Sequence, residues 1–279
     1  MSRAAGAAVT LINTRIWLEE AEPADRFATR AAHCHGYDVF GQMLGRAHWA
    51  DMVFLLFRGE APDAPQSALL DAVSVALANP GPRDPAVHAA MCGGVGGSTA
   101  AASLMAALAV GSGQCGGAHE VFLAMQGWRQ CGDRIEAWRA HWLDLIDRPE
   151  PQADVWPAVS HAPGFEPHAQ VASTVVRQAL SCLAALSPGE ALPWLHERRE
   201  ALELAAGRPL AMTGVAAAAL TDLGLSPEQG EMLHLILRLP GAAVHALEQA
   251  GQGFKQFPFP SLDLQDDPGR MTVAKTEAP

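Results

Sequence analysis

Cys115 and His119 are the two residues in this chain whose types and spacing come nearest to nucleophilic chemistry. Four residues is close to one helical turn, so on a continuous helix the thiol and imidazole would share a face, as a thiolate and its base do. The plainer reading is a cysteine filling a helix start beside an unrelated histidine. Arg238 is the second candidate. It sits between Leu237 and Leu239, and its charge cannot be lost, so it must meet an anion or a cluster of carbonyls. An internal ion pair and a carboxylate-binding site both satisfy that requirement. His245, seven residues on, lies on the same helix face.

His33-Cys34-His35 has the composition of a metal corner, yet no second Cys/His pair at a tetrahedral spacing completes it, so no metal is expected. The glycine-rich run Cys92-Gly93-Gly94-Val95-Gly96-Gly97-Ser98-Thr99 lacks the Gly-Lys-Ser/Thr ending of a phosphate-binding loop. It reads instead as close helix packing or a turn.

Helices are predicted to position these residues. Alanine and leucine abound, aromatics are only 6%, and long alternating β-branched runs are missing, so the expected fold class is all-α. Glycine and proline punctuate helical stretches at 67–77, 98–110, 118–129, 136–147, 170–186, 190–206, 214–223 and 227–249. In the last, Met232, Leu235, Ile236, Leu239, Ala242, Ala243 and Ala246 form an apolar stripe, interrupted or kinked at Pro240. Ser226 caps its start, with Pro227 in the first turn. Residues 148–166 and 206–212 read as hinges or linkers. The tail from Gly251 places Phe254, Phe257 and Phe259 among prolines, an aromatic half suited to docking, and is expected to be loose from Asp266 onward.

Composition narrows the function classes. With 49% hydrophobic and 18% charged residues in 279, the chain has a full core and too little charge for disorder. The net charge of −11, with no Lys/Arg run, argues against nucleic acid as a partner. Residues 85–119 contain no Asp, Glu, Lys or Arg, but the continuous apolar part, 100–110, is shorter than the roughly 20 residues that span a bilayer. No membrane partner is expected. Five scattered cysteines suit a reducing compartment, and the N-terminus lacks a secretory h-region, so the expected location is cytoplasmic.

Several motifs occur in an order that resembles one family. Gly113-Gln114-Cys115-Gly116-Gly117-Ala118-His119-Glu120-Val121 resembles the His-Gly-Gly-Ala-Asn-Glu-Ala signature of the citrate synthase and citryl-CoA lyase superfamily. His35-Gly36-Tyr37-Asp38 resembles its Arg-Gly-Tyr-Asp element, and the run from Ala50 to Pro62 its Leu-Leu-x-Gly-x-Leu-Pro element. Pro163-Gly164-Phe165 resembles the opening of Pro-Gly-Phe-Gly-His. Thr213-Gly214-Val215 and Thr221-Asp222-Leu223-Gly224 resemble Asn-Val-Asp-Gly-Val and Asp-Leu-Gly. The stretch from Leu237 to Gln249 resembles the Arg-x-x-Gly-x-x-Ala-His-x-x-Glu-Gln helix. The resemblance runs from about Gly36 to Gln249, and the short length is closer to citryl-CoA lyase-like members.

The resemblance implies a citrate synthase-like fold with a large helical domain, 1–118 and 213–279, and a small helical domain, 119–212. The cleft between them would hold Cys115, His168, Thr213 and Arg238. It also implies where the family reaction has been lost. The signature histidine, donor to the thioester enolate, is replaced by Cys115, a poor donor. The ketone-polarising histidine is replaced at Glu166 and Pro167, with His168 one place late. The aspartate base is replaced by Thr213, which cannot take a proton at neutral pH. The family's Asp-His-Gly stretch reads Asn79-Pro80-Gly81, and the basic segment expected to face coenzyme A phosphates reads 168–173 without a cation. Arg238 alone matches cleanly. Losing base and both donors removes groups each worth about a hundredfold or more.

Two functions are expected from this pattern. One is a non-catalytic or diverged subunit, forming a homodimer, or a heterodimer with a citrate synthase-like paralogue, with no cofactor. The other is a diverged acyl-CoA or carboxylate enzyme in which Cys115, His119, Glu166 or His168 acts. A further option is a binding module that holds a dicarboxylate through Arg238.

Overall fold

The computed structural model describes residues 12–147, 158–262 and 264–265. The expectations for the extreme N-terminus, for most of the proposed 148–166 linker and for the tail beyond Asp266 lie outside the described residues.

Ten α-helices follow one another among these: α1 (Trp49–Arg58), α2 (Ala64–Leu77), α3 (Pro85–Val95), α4 (Ala100–Gly111), α5 (Ala118–Cys131), α6 (Ile135–Asp147), α7 (Thr174–Leu186), α8 (Ala191–Ala206), α9 (Met212–Asp222) and α10 (Pro227–Gln252). Their starts are written in the sequence. Asp63, Asp84, Thr99, Ser173 and Ser226 each accept a backbone N–H of the first turn, and proline occupies an early position in α2, α3 and α10. No helix among the described residues is long and apolar enough to cross a membrane.

The all-α expectation needs one addition. Before the helices stands a three-stranded antiparallel sheet, β1 (Trp17–Glu22), β2 (Asp25–Cys34) and β3 (Tyr37–Asp38). Its sequence gives little β signal because Thr29 is the sole β-branched residue of β2. The decisive feature is the two-residue turn His35-Gly36, where φ is +46° and +89° and Cys34 pairs with Tyr37. The His33-Cys34-His35 run is thus a strand end and its turn. Among the described residues no group of three or more ligands could hold a metal.

Two apolar clusters organise the helices. The larger runs from α1 and α2 through α5–α9 to the first half of α10, with α9 buried from Thr213 to Leu220. The smaller joins α3, α4 and the second half of α10, and Phe257 of the tail packs against it while Phe254 and Phe259 stay exposed. Glycines set the helix distances. A Cβ on Gly94 would lie 2.2 Å from the carbonyl oxygen of Ala246, and one on Gly93 2.6 Å from Ser103 Oγ, so the glycine-rich run is helix packing. The helix α10 continues through Pro240, and the next residue, Gly241, donates its N–H to Ala78 O at 2.7 Å. That bond clamps the α2–α3 loop onto α10.

The two segments read as linkers are anchored where they are described. Ala162 to Phe165 are buried, as are Leu210 and Ala211, and Phe165 and Leu210 form an antiparallel bridge. Glu166 N–H donates to Pro209 O (2.8 Å), and Ala211 N–H to Gly164 O (3.0 Å). Phe165 enters an aromatic cluster, edge-on to Trp142 at 5.0 Å. Gly94→Ala should lower the urea-unfolding free energy by about 1–3 kcal/mol through overpacking. Unchanged stability would show that α3 and α10 separate freely.

Candidate functional site

A cleft of about 730 Å³ opens where four helices begin. The starts of α3 (Asp84, Pro85), α5 (Cys115, Gly116, Glu120), α7 (Ser173, Val175, Val176) and α9 (Ala211, Met212, Thr213) line it, with Glu166, Pro167 and His168 beside them and His234 and Arg238 from α10. Four helix N-termini concentrate positive dipole ends and unpaired N–H groups on one space. Asp84 and Ser173 cap α3 and α7, whereas α5 and α9 begin at Gly117 and Ala211 with no side-chain cap.

Glu120 answers that field. Its side chain is 1% exposed. Oε2 accepts Gly116 N–H at 2.5 Å, and Oε1 accepts Gly164 N–H at 2.8 Å and the Thr213 hydroxyl at 2.9 Å, with His161 Nε2 3.8 Å away. One carboxylate therefore joins the signature turn, the Pro-Gly-Phe loop and the start of α9. The Thr213 hydroxyl thus donates its hydrogen bond to an internal carboxylate. Gly164 and Gly214 meet so closely that a Cβ on Gly214 would lie 2.4 Å from Gly164 O.

Arg238 is likewise occupied. Its Nη2 pairs with Asp84, its Nη1 donates to Gly116 O at 3.2 Å, and Nη1 also faces His234 Nε2 at 3.4 Å. The ion pair is the state the structure holds. His234 is buried, and burial followed by the neighbouring Arg238 charge pushes its pKa down to about 3, so the ring is neutral. Glu166 is half-buried and its pKa is raised, chiefly by burial and next by Glu120, with His168 and His161 opposing.

The proposed Cys115–His119 face does not form. Cys115 is exposed and precedes the first residue of α5, so the helical spacing does not apply to it. His119 lies within the helix, stacks on Phe122 and binds Glu231 on α10 at 3.1 Å. Cys115, Glu166, Pro167, His168, Thr213 and Arg238 do converge on the cleft, while His119 does not line it. Sequence reasoning passed over Glu120, Asp84 and His234. Asp84 carried a signal, since an aspartate just before a proline-started helix is an N-cap, and Glu120 falls on the glutamate of the resembled signature; His234 sits at an ordinary helix position.

No protein-family model matches the chain, and no curated protein matches it. Solved structures do. Citryl-CoA lyase from Hydrogenobacter thermophilus superposes with a TM-score of 0.67 at 16% identity, over 94% of this chain and 100% of that one. The fold is that of citryl-CoA lyase. A Methanosaeta concilii ATP citrate lyase variant in complex with (3S)-citryl-CoA gives 0.65 at 16% identity, over 94% of this chain and 43% of that one. ATP citrate lyase from Methanothrix soehngenii, in complex with citrate and coenzyme A, gives 0.63 at 16% identity, over 92% and 42%. The present chain spans less than half of each ATP citrate lyase chain.

On this citryl-CoA lyase-like scaffold, Glu120→Ala should cost about 3 kcal/mol in chemical denaturation, because the donors at Gly116, Gly164 and Thr213 lose their acceptor. Thr213→Val, which removes one hydrogen bond, should cost only about 1 kcal/mol. Equal costs would contradict the hub role of Glu120. His234 supplies a pH test. Its folded pKa lies below the unfolded value, so its contribution is complete above about pH 6.5 and is lost on acidification at up to about 1.4 kcal/mol per pH unit. The wild type should therefore lose more stability than His234→Phe between pH 6.5 and 5. Parallel profiles would show that His234 is protonated in the fold.

Proposed function

We propose that this chain is a non-catalytic subunit on the citryl-CoA lyase fold, paired with itself or with an active citrate synthase-type paralogue. The observation that carries this reading is the internal use of the cleft's polar groups. Thr213 gives its hydroxyl to Glu120, Arg238 its guanidinium to Asp84, and Cys115 and Pro167 stand at the positions of the family's two histidine donors. Arg238 is the single Arg or Lys among the described residues lining the cleft, so the lining does not fit the phosphates of coenzyme A.

The proposed partner surface lies on α4 and α10. The helix α4 has no charged residue, yet Ala101, Met105, Ala109 and Val110 face outward. On α10 the inward face is Gly230, Leu233, Leu237, Gly241, Ala242 and Ala246. Met232 and Ile236 of the apolar stripe point out, at 61% and 42% exposure. A helix apolar on both faces belongs inside an assembly. Permanent interfaces of this kind bury more than about 2,000 Å².

Purified protein should neither form citryl-CoA from oxaloacetate and acetyl-CoA nor cleave it. Turnover that disappears on Thr213→Val would overturn the reading. Light scattering at micromolar concentration should find a dimer, and Met105→Arg should yield monomers or insoluble protein. A soluble wild-type monomer, with no same-fold partner recovered from its cells, would contradict the subunit role.

A further inference from the structure

We infer that Asp84 is a built-in competitor for ligand carboxylates, the residue that makes this cleft refuse the anions its arginine would otherwise bind. The inference deepens the reading of the cleft as internally satisfied and rests on it for location. A guanidinium in a cleft is the side chain best shaped to hold a carboxylate, through a planar fork of donors. Arg238 is such a group, with its side chain only 11% exposed.

The fork is filled from within. Asp84 Oδ2 takes Nη2, Gly116 O takes Nη1, and His234 Nε2 faces the same nitrogen as a neutral acceptor. Asp84 also cannot swing aside without loss. Its Oδ1 accepts the N–H groups of Ala86 (3.0 Å) and Val87 (3.3 Å), so one oxygen caps α3 while the other meets the arginine. The helix itself is fixed against α10, where Gly94 meets Ala246. The carboxylate is thus mounted on the body of the protein where a ligand's would lie. An oriented internal group acts at an effective concentration far above that of any millimolar solute. A ligand that displaced it would leave a second carboxylate unpaired in a cleft already holding Glu120 and Glu166.

The test is calorimetric titration and thermal melting of full-length protein with malate and citrate at millimolar concentration. Asp84→Asn keeps an efficient helix cap and removes the charge. Wild type should show no binding and no rise in melting temperature. The variant should bind about tenfold or more tightly than wild type and be stabilised. The double variant with Arg238→Gln should lose that binding. Asp84→Ser, also a capping residue, serves if the asparagine variant does not fold. Wild type binding either anion as tightly as the variant would overturn the inference. So would a folded, helical variant that binds neither, or binding that survives Arg238→Gln. Turnover by wild type would sink the proposed non-catalytic role without touching this comparison, which reads affinity alone.

Discussion

A carboxylate with almost no contact with water, Glu120, fixes the relations among the parts of the cleft. An ion at that depth is tolerated only when donors surround it. Here they come from Gly116, Gly164 and Thr213, three positions separated by up to 97 residues of sequence, counting from Gly116 to Thr213 (213 − 116). The uncapped starts of α5 and α9 add their dipoles to the same point. The carboxylate and the converging helix ends stabilise each other, and the cleft gains a rigid floor.

Backbone proximity makes this arrangement geometrically available. Gly164 approaches Gly214, Gly94 approaches Ala246, and Gly241 approaches Ala78, each within a distance no side chain would allow. The same small residues bring Asp84 to Arg238, because the clamp at Gly241 holds the α2–α3 loop over α10. Packing and electrostatics are therefore coupled: the glycines set the distances, and the paired charges occupy the space those distances define.

Much of the helical scaffold was legible in the sequence, since Asp63, Thr99, Ser173 and Ser226 mark helix starts by their chemistry and the interruptions are Gly or Pro. The sheet was not, because β2 is built on a turn at His35-Gly36 rather than on β-branched residues. The cleft was half legible. Motif order brought Cys115, His168, Thr213 and Arg238 to one place, but a spacing argument for Cys115 and His119 failed where the helix began three residues too late. Which charge pairs with which is a tertiary matter: Arg238 meets Asp84 across 154 residues, and no local pattern encodes that. The stripe on α10 was visible, yet which side faced the core depended on α3, α5 and α9.

The proposed non-catalytic role requires that this cleft, although Glu166 and His168 line it, take no proton from an acyl thioester. Exchange of the acetyl-CoA methyl protons in deuterated buffer, followed by mass spectrometry with oxaloacetate present, measures that step apart from any later one. The account predicts exchange no faster than in buffer alone. Exchange well above that background, abolished by Thr213→Val or Glu166→Gln, would contradict it.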